Sequence, residues 1–126
     1  MIIFLKDSAC AYSNVSSYIG GTLIKWTKVT NETNLQYAVA NIGPITVAVN
    51  ASDFQFYGGG IYNPASCEKP VDHGMVVVGY GTLDGQDYWI VKNSWGTSWG
   101  LDGYMLLARN AGNKCAVASY SYYPVV

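Results

Sequence analysis

Gly74-Met75-Val76-Val77-Val78-Gly79-Tyr80, then Gly81-Thr82-Leu83-Asp84-Gly85-Gln86-Asp87, then Tyr88-Trp89-Ile90-Val91-Lys92 decide the fold class. The first and third segments are apolar, β-branched and aromatic runs of strand length, and the middle one is rich in turn-forming residues. Two such runs joined by a short turn pair antiparallel, which brings the start of one beside the end of the other. His73 stands at that start and Asn93 at that end, so the reading makes them neighbours.

Working outward, Ile45-Thr46-Val47-Ala48-Val49-Asn50 alternates with period two, and Tyr104-Met105-Leu106-Leu107-Ala108 gives a fourth strand candidate. Upstream, Leu35, Ala38, Val39 and Ile42 fall at i, i+3, i+4 and i+7, one stripe of an amphipathic helix. Asn31 is a good N-cap, Glu32 suits the positive end of the helix dipole, and Gly43-Pro44 ends the helix. Everything after that helix reads as β. The pattern predicts an α+β fold, an antiparallel β half-barrel with one packed helix, with residues 1–126 forming a single domain. Gly58-Gly59-Gly60 fits either a plain turn or the flexible rim of a cleft.

Half of the residues are apolar and only 12% are charged, with a formal net charge of -1, which argues against a disordered tail or a nucleic-acid footprint. About a quarter of residues are charged in ordinary soluble domains. The shortfall suggests a surface meant to be covered by a partner, although 11 tyrosines also suit half-wet surfaces with no partner. Such a surface predicts poor solubility for the chain alone. The apolar run at Met1-Ile2-Ile3-Phe4-Leu5 is too short for a signal peptide, and no stretch is long and apolar enough to cross a bilayer, so no membrane association is expected.

Three cysteines, Cys10, Cys67 and Cys115, make an odd count, and three N-glycosylation sequons begin at Asn14, Asn31 and Asn50. Both fit an oxidising secretory route, with one thiol whose partner lies elsewhere. The cysteines lack the close pairs of structural zinc sites, so neither a metal nor a cofactor is expected. His73 is the single histidine of the chain, and a lone histidine is more often structural than catalytic. Asn93-Ser94-Trp95-Gly96-Thr97-Ser98-Trp99-Gly100, dense in Trp and Gly just after a strand, gives that histidine a context, the weaker alternative being an aromatic turn that packs the core.

The series Asp72-His73-Gly74, Val78-Gly79-Tyr80-Gly81, Tyr88-Trp89-Ile90-Val91-Lys92-Asn93-Ser94-Trp95-Gly96 and Trp99-Gly100 resembles the papain family of cysteine proteases. Gly43-Pro44 before Val47-Ala48-Val49, Phe56-Tyr57 before Gly60-Ile61-Tyr62, Asn113-Lys114-Cys115 and Tyr123-Pro124-Val125 extend the likeness from Cys10 onward, closest to the cathepsin L branch. The resemblance is to the β-rich C-terminal half alone and implies that the N-terminal, Cys-bearing domain is absent. It implies a cysteine-type endopeptidase in which His73 is the acid and base and Asn93 orients its ring. Trp95 would shield that pair and form part of the leaving-group, substrate-binding side of the cleft, and Trp99 would pack structurally.

The S2 subsite implied by the resemblance draws Ala48, Val71, Asp72, Gly74 and Tyr120 from this half. Tyr120 either closes the floor of that pocket or belongs to an exposed tyrosine-rich strand. The resemblance also pairs Cys67 with Cys115, closing a loop that adds on the order of 4 kcal/mol. It gives Cys10 a partner in the other domain, the alternative being a free thiol. Implied partners are a peptide or protein substrate, the N-terminal half-domain and a cystatin-type or prodomain inhibitor, in a lysosomal or secreted setting.

The family's nucleophile segment lies about 130 to 150 residues before its His and Asn. Only 72 residues precede His73, and none of the three cysteines sits in such a segment. The chain alone is therefore expected to be inactive. The other readings are a non-catalytic domain that binds peptides or inhibitors through its half-cleft and, more weakly, a metal-binding domain using His73 and the cysteines.

Overall fold

A computed structural model describes residues 22–67 and 70–126. In chain order they form β1 (Lys25–Val29), α1 (Glu32–Asn41), β2 (Ile45–Val49), β3 (Ile61–Tyr62), β4 (His73–Leu83), β5 (Gln86–Lys92), β6 (Tyr104–Ala108) and β7 (Tyr120–Val125). One sheet contains all seven strands in the order β1-β7-β2-β4-β5-β6-β3. Every neighbouring pair is antiparallel except β3 with β6, which is parallel, so the sheet is mixed and the fold is α+β. Among the described residues no helix is long and apolar enough to cross a membrane.

The alternation in β2 sends Ile45, Val47 and Val49 inward and leaves Thr46 exposed and Ala48 half-buried. Met75 and Val77 of β4, Trp89 and Val91 of β5, and Met105 and Leu107 of β6 complete the buried face, onto which α1 packs Leu35 and Ala38. The helix begins as its sequence predicts, with Asn31 Oδ1 accepting the Asn34 N–H at 2.8 Å. Its stripe is shorter than expected. Ile42 lies past the last helical residue and is half-exposed, because the chain turns there into Gly43-Pro44.

Three strands differ from the sequence expectation. β1 precedes the helix, β3 has only two residues, and β7 is the tyrosine-rich C-terminal segment. The turn between β4 and β5 is also tighter than expected: it shrinks to Asp84-Gly85, both at positive φ, and the strands continue to Leu83 and from Gln86. Polar residues are tolerated there because the end of the hairpin is solvent-exposed. The Asp87 carboxylate accepts from the Thr82 hydroxyl at 2.6 Å and from Asn110 Nδ2 at 2.7 Å, and these bonds hold it below the usual carboxylate range.

Glu32 does more than complement the helix dipole. Its carboxylate accepts from the Trp89 indole N–H at 3.1 Å and from the backbone N–H groups of Asn110 and Asn113 at 2.8 Å each. It therefore ties the start of the helix to β5 and to the segment following β6. The nearly buried Arg109 makes a parallel tie. It donates to Gln36 of α1 at 2.7 Å, lies 3.4 Å from the Asp87 carboxylate and stacks on Tyr80 and Trp89. Glu32→Ala leaves these donors without their charged acceptor, and a urea melt is expected to show a loss of about 2 kcal/mol.

The segment 113–116 holds three non-glycine residues at positive φ, Asn113, Cys115 and Ala116. Asn tolerates this region, but Ala116 at φ 63° places its Cβ against the backbone. Ala116→Gly is expected to raise stability by about 0.5 kcal/mol, since relief of that strain exceeds the added freedom of the unfolded chain. A lowered denaturation midpoint would show that the alanine is accommodated.

Candidate functional site

His73 opens β4, and Asn93 follows the last residue of β5. The antiparallel register Val76↔Lys92 and Val77↔Val91 carries the two together, and His73 Nε2 lies 2.8 Å from Asn93 Oδ1. Asn93 is 8% exposed, and its own N–H donates to Gly103 O at 2.9 Å. Its Oδ1 also accepts the Ser94 backbone N–H at 2.8 Å. A backbone N–H can only donate, so the atom it meets is the amide oxygen, and the orientation of the side chain follows. The same oxygen then requires His73 Nε2 to be the donor. In the neutral ring, the acceptor lone pair is left on Nδ1.

Trp95 covers the ring, with centroids 5.0 Å apart and planes 34° from parallel. Behind it Trp99 packs edge-on at 5.3 Å and anchors its indole N–H on Phe54 O at 2.9 Å. Trp99 also packs on Tyr57, whose hydroxyl donates to Gly60 O and accepts the Leu106 N–H. Burial pushes the Tyr57 phenol above its ordinary pKa. Tyr57 thus fastens the Gly58-Gly59-Gly60 run, which bends at Gly59 and Gly60. Gly100 lets the Trp99 loop close: at φ 57° it passes so near β6 that an added Cβ would meet Tyr104 O at 2.5 Å.

Gly74, Ala48 and Tyr120 lie side by side across β4, β2 and β7, where Ala48 is the register partner of both others. Val71 is half-buried on the approach to β4. Asp72 is exposed, yet its carboxylate accepts the Ala51 N–H at 2.8 Å and its N–H donates to Val49 O at 3.0 Å, so it braces the approach to His73. Tyr120 is 48% exposed, and the Lys28 ammonium lies 5.3 Å from its ring centroid. It belongs to the tyrosine-rich strand and stands beside Ala48 in the β2–β7 register.

These residues do not enclose a pocket. The cavity beside the pair is an open depression of about 480 Å³, lined by Thr46, Gly74, Met75, Val76, Lys92, Asn93 and Ser94. Only Gly74 of the expected subsite residues lines it. Asn93 Nδ2 is buried with no hydrogen-bond partner among the described residues. Cys67 and Cys115 form a disulfide with Cα atoms 4.8 Å apart, and Cys10 lies outside the described residues. No three His, Cys, Asp or Glu side chains converge on a metal-sized site among the described residues.

Lys28, Glu32 and Arg109 were not singled out for these contacts by the sequence. Their partners are remote, as with Glu32 and Asn113, which are 81 positions apart. No short motif signals such ties. What the site offers chemically is an imidazole fixed at one nitrogen, open to proton transfer at the other, and roofed by an indole. It serves general acid and base chemistry once a nucleophile is brought to it.

Known proteins resemble this chain over most of its length. Residues 5–125 match the model of the papain family of cysteine proteases. The chain is 45% identical over 126 residues to cathepsin L of Sarcophaga peregrina, covering 95% of this chain and 37% of that protein. It is 52% identical over 98 residues to cathepsin S of Mus musculus, covering 76% and 29% respectively. The solved structure of digestive procathepsin L2 proteinase from Tenebrio molitor larval midgut superposes with a TM-score of 0.81 at 43% identity, over 86% of this chain and 36% of that one. The match thus spans between 29% and 37% of the length of these relatives. With the match running through nearly all of its length, the chain belongs to the papain family of cysteine proteases.

Proposed function

We propose that this chain supplies the His73 and Asn93 half of a cysteine-type endopeptidase, together with half of its substrate cleft. The observation that supports this most is the hydrogen bond from His73 Nε2 to Asn93 Oδ1, whose acceptor is fixed by the Ser94 N–H. With that nitrogen engaged, Nδ1 is left to face a thiol. An imidazolium there holds the thiol as thiolate, then gives its proton to the departing amine, and the neutral ring finally activates water against the thioester. Trp95 excludes solvent from the pair.

The nucleophile is proposed to come from an N-terminal half-domain. Cys67 and Cys115 are committed to each other, and Cys10 lies in no nucleophile-like segment. The depression bounded by Thr46, Val76 and Lys92 is the proposed seat of that partner. The chain alone is then inactive, lacking both the thiol and the oxyanion donors that accompany it. Substrates are peptides or proteins, inhibitors of the prodomain or cystatin type would occupy the same cleft, and the setting is lysosomal or secreted.

Hydrolysis of a fluorogenic dipeptide amide under mild reducing conditions tests this, using the chain alone, mixed with a papain-type N-terminal half, and mixed as His73→Ala. Activity is expected only in the mixture, with a loss of at least about 10³-fold in the variant. Inactivity despite demonstrated folding and association would leave a non-catalytic, peptide-binding domain. In the active mixture, Tyr120→Ala is expected to raise the kcat/KM ratio for Phe over Ala at the second residue before the scissile bond by about tenfold. An unchanged ratio would remove Tyr120 from the pocket.

A further inference from the structure

Two of the sequons lie in the described residues, Asn31-Glu32-Thr33 and Asn50-Ala51-Ser52, and the fold treats them oppositely. The Cys67–Cys115 disulfide is a separate indication of an oxidising compartment, in which such sequons are used. We propose that Asn31 is an N-glycan acceptor, and that Asn50 carries no glycan in the folded protein.

Asn31 and Thr33 are exposed, and Asn31 sits in extended backbone at φ -158°, ψ 170° immediately before α1. Its amide divides the work between its two atoms. Oδ1 caps the helix by accepting the Asn34 N–H, while Nδ2 makes no hydrogen bond among the described residues. A sugar on Nδ2 leaves the amide oxygen in place, so glycosylation and capping coexist. The donor is a lipid-linked oligosaccharide diphosphate. Nδ2 bonds to the anomeric carbon as its bond to the diphosphate oxygen breaks, the lipid diphosphate leaves with the electron pair, and one Nδ2 proton passes to a base.

Asn50 is 2% exposed. Its Oδ1 accepts the Ser52 N–H at 3.0 Å and the Ser52 hydroxyl at 2.8 Å, and its own N–H donates to Cys115 O at 3.0 Å. A glycan on that side chain has no exit from the native packing, so a chain modified there before folding cannot reach this structure. The position of Asn31 carries no such conflict. Its helix packs on the buried face of the sheet with Leu35 and Ala38, whereas the exposed Thr46 and Gly74 line the depression beside His73.

The full 126-residue chain is expressed in a eukaryotic secretory host, and its disulfide-bonded fraction, secreted or retained, is treated with a deglycosylating amidase in heavy-oxygen water and peptide-mapped. Asn31 is expected to appear as labelled Asp and Asn50 as unlabelled Asn. Thr33→Ala is expected to lose one glycan mass while keeping the Asn31 cap, and Thr33→Ser to retain it. An unlabelled Asn31, or a labelled Asn50 in the disulfide-bonded fraction, would overturn the proposal. The Asn14 sequon is read from its own peptide and does not enter the comparison.

Discussion

Antiparallel pairing of β4 with β5 runs from Val76 opposite Lys92 to Leu83 opposite Gln86, and a two-residue turn closes it at one end. The other end carries His73 and Asn93. Because Val77 and Val91 are fully buried partners, the register cannot slip by one residue without turning buried side chains to solvent. The shift after Val77 is absorbed within the strand, so it does not disturb the end where the two polar residues meet. The 2.8 Å bond between imidazole and amide is thus set by hydrophobic burial several residues away.

Support for the pair extends outward in layers. Trp95 lies on the imidazole, Trp99 on Trp95, and Tyr57 on Trp99, each step bringing the site closer to buried core. On the other side, Asp72 fixes the approach to β4 through the Ala51 N–H, and Asn50 next to it is fastened to Cys115, one end of the disulfide. An imidazole placed for proton transfer relies on neighbouring side chains that lock it in advance. The open depression and Asn93 Nδ2, which has no partner among the described residues, are the places where this locking is incomplete.

Much of this was legible in the sequence where one face of an element is plainly apolar. α1 was read from the stripe Leu35, Ala38, Val39 and Ile42, of which Leu35 and Ala38 are buried, and from its caps, and β2, β4, β5 and β6 from their apolar runs. β1 escaped notice because it is an edge strand in which only Val29 is buried. β7 reverses the usual pattern: its buried residue is Ser121, whose hydroxyl donates to Val117 O, while its tyrosines lie at or near the surface. His73 and Asn93 were found through the family's motif, and the turn explained why they meet. The ties made by Glu32 and Arg109 were illegible because each joins elements far apart in the chain, and the bracing role of Asp72 depends on a backbone N–H that no motif encodes.

The ring of His73 gives the most direct measurement of the central claim, a proton-handling imidazole already oriented by Asn93 within this chain. Long-range proton–nitrogen NMR correlations on the folded protein, recorded where the ring is neutral, distinguish its two tautomers. Nε2 is expected to carry the proton, shared with Asn93 Oδ1 and lost as a distinct signal in Asn93→Ala. A ring protonated at Nδ1, or one averaging between the two forms, would contradict it.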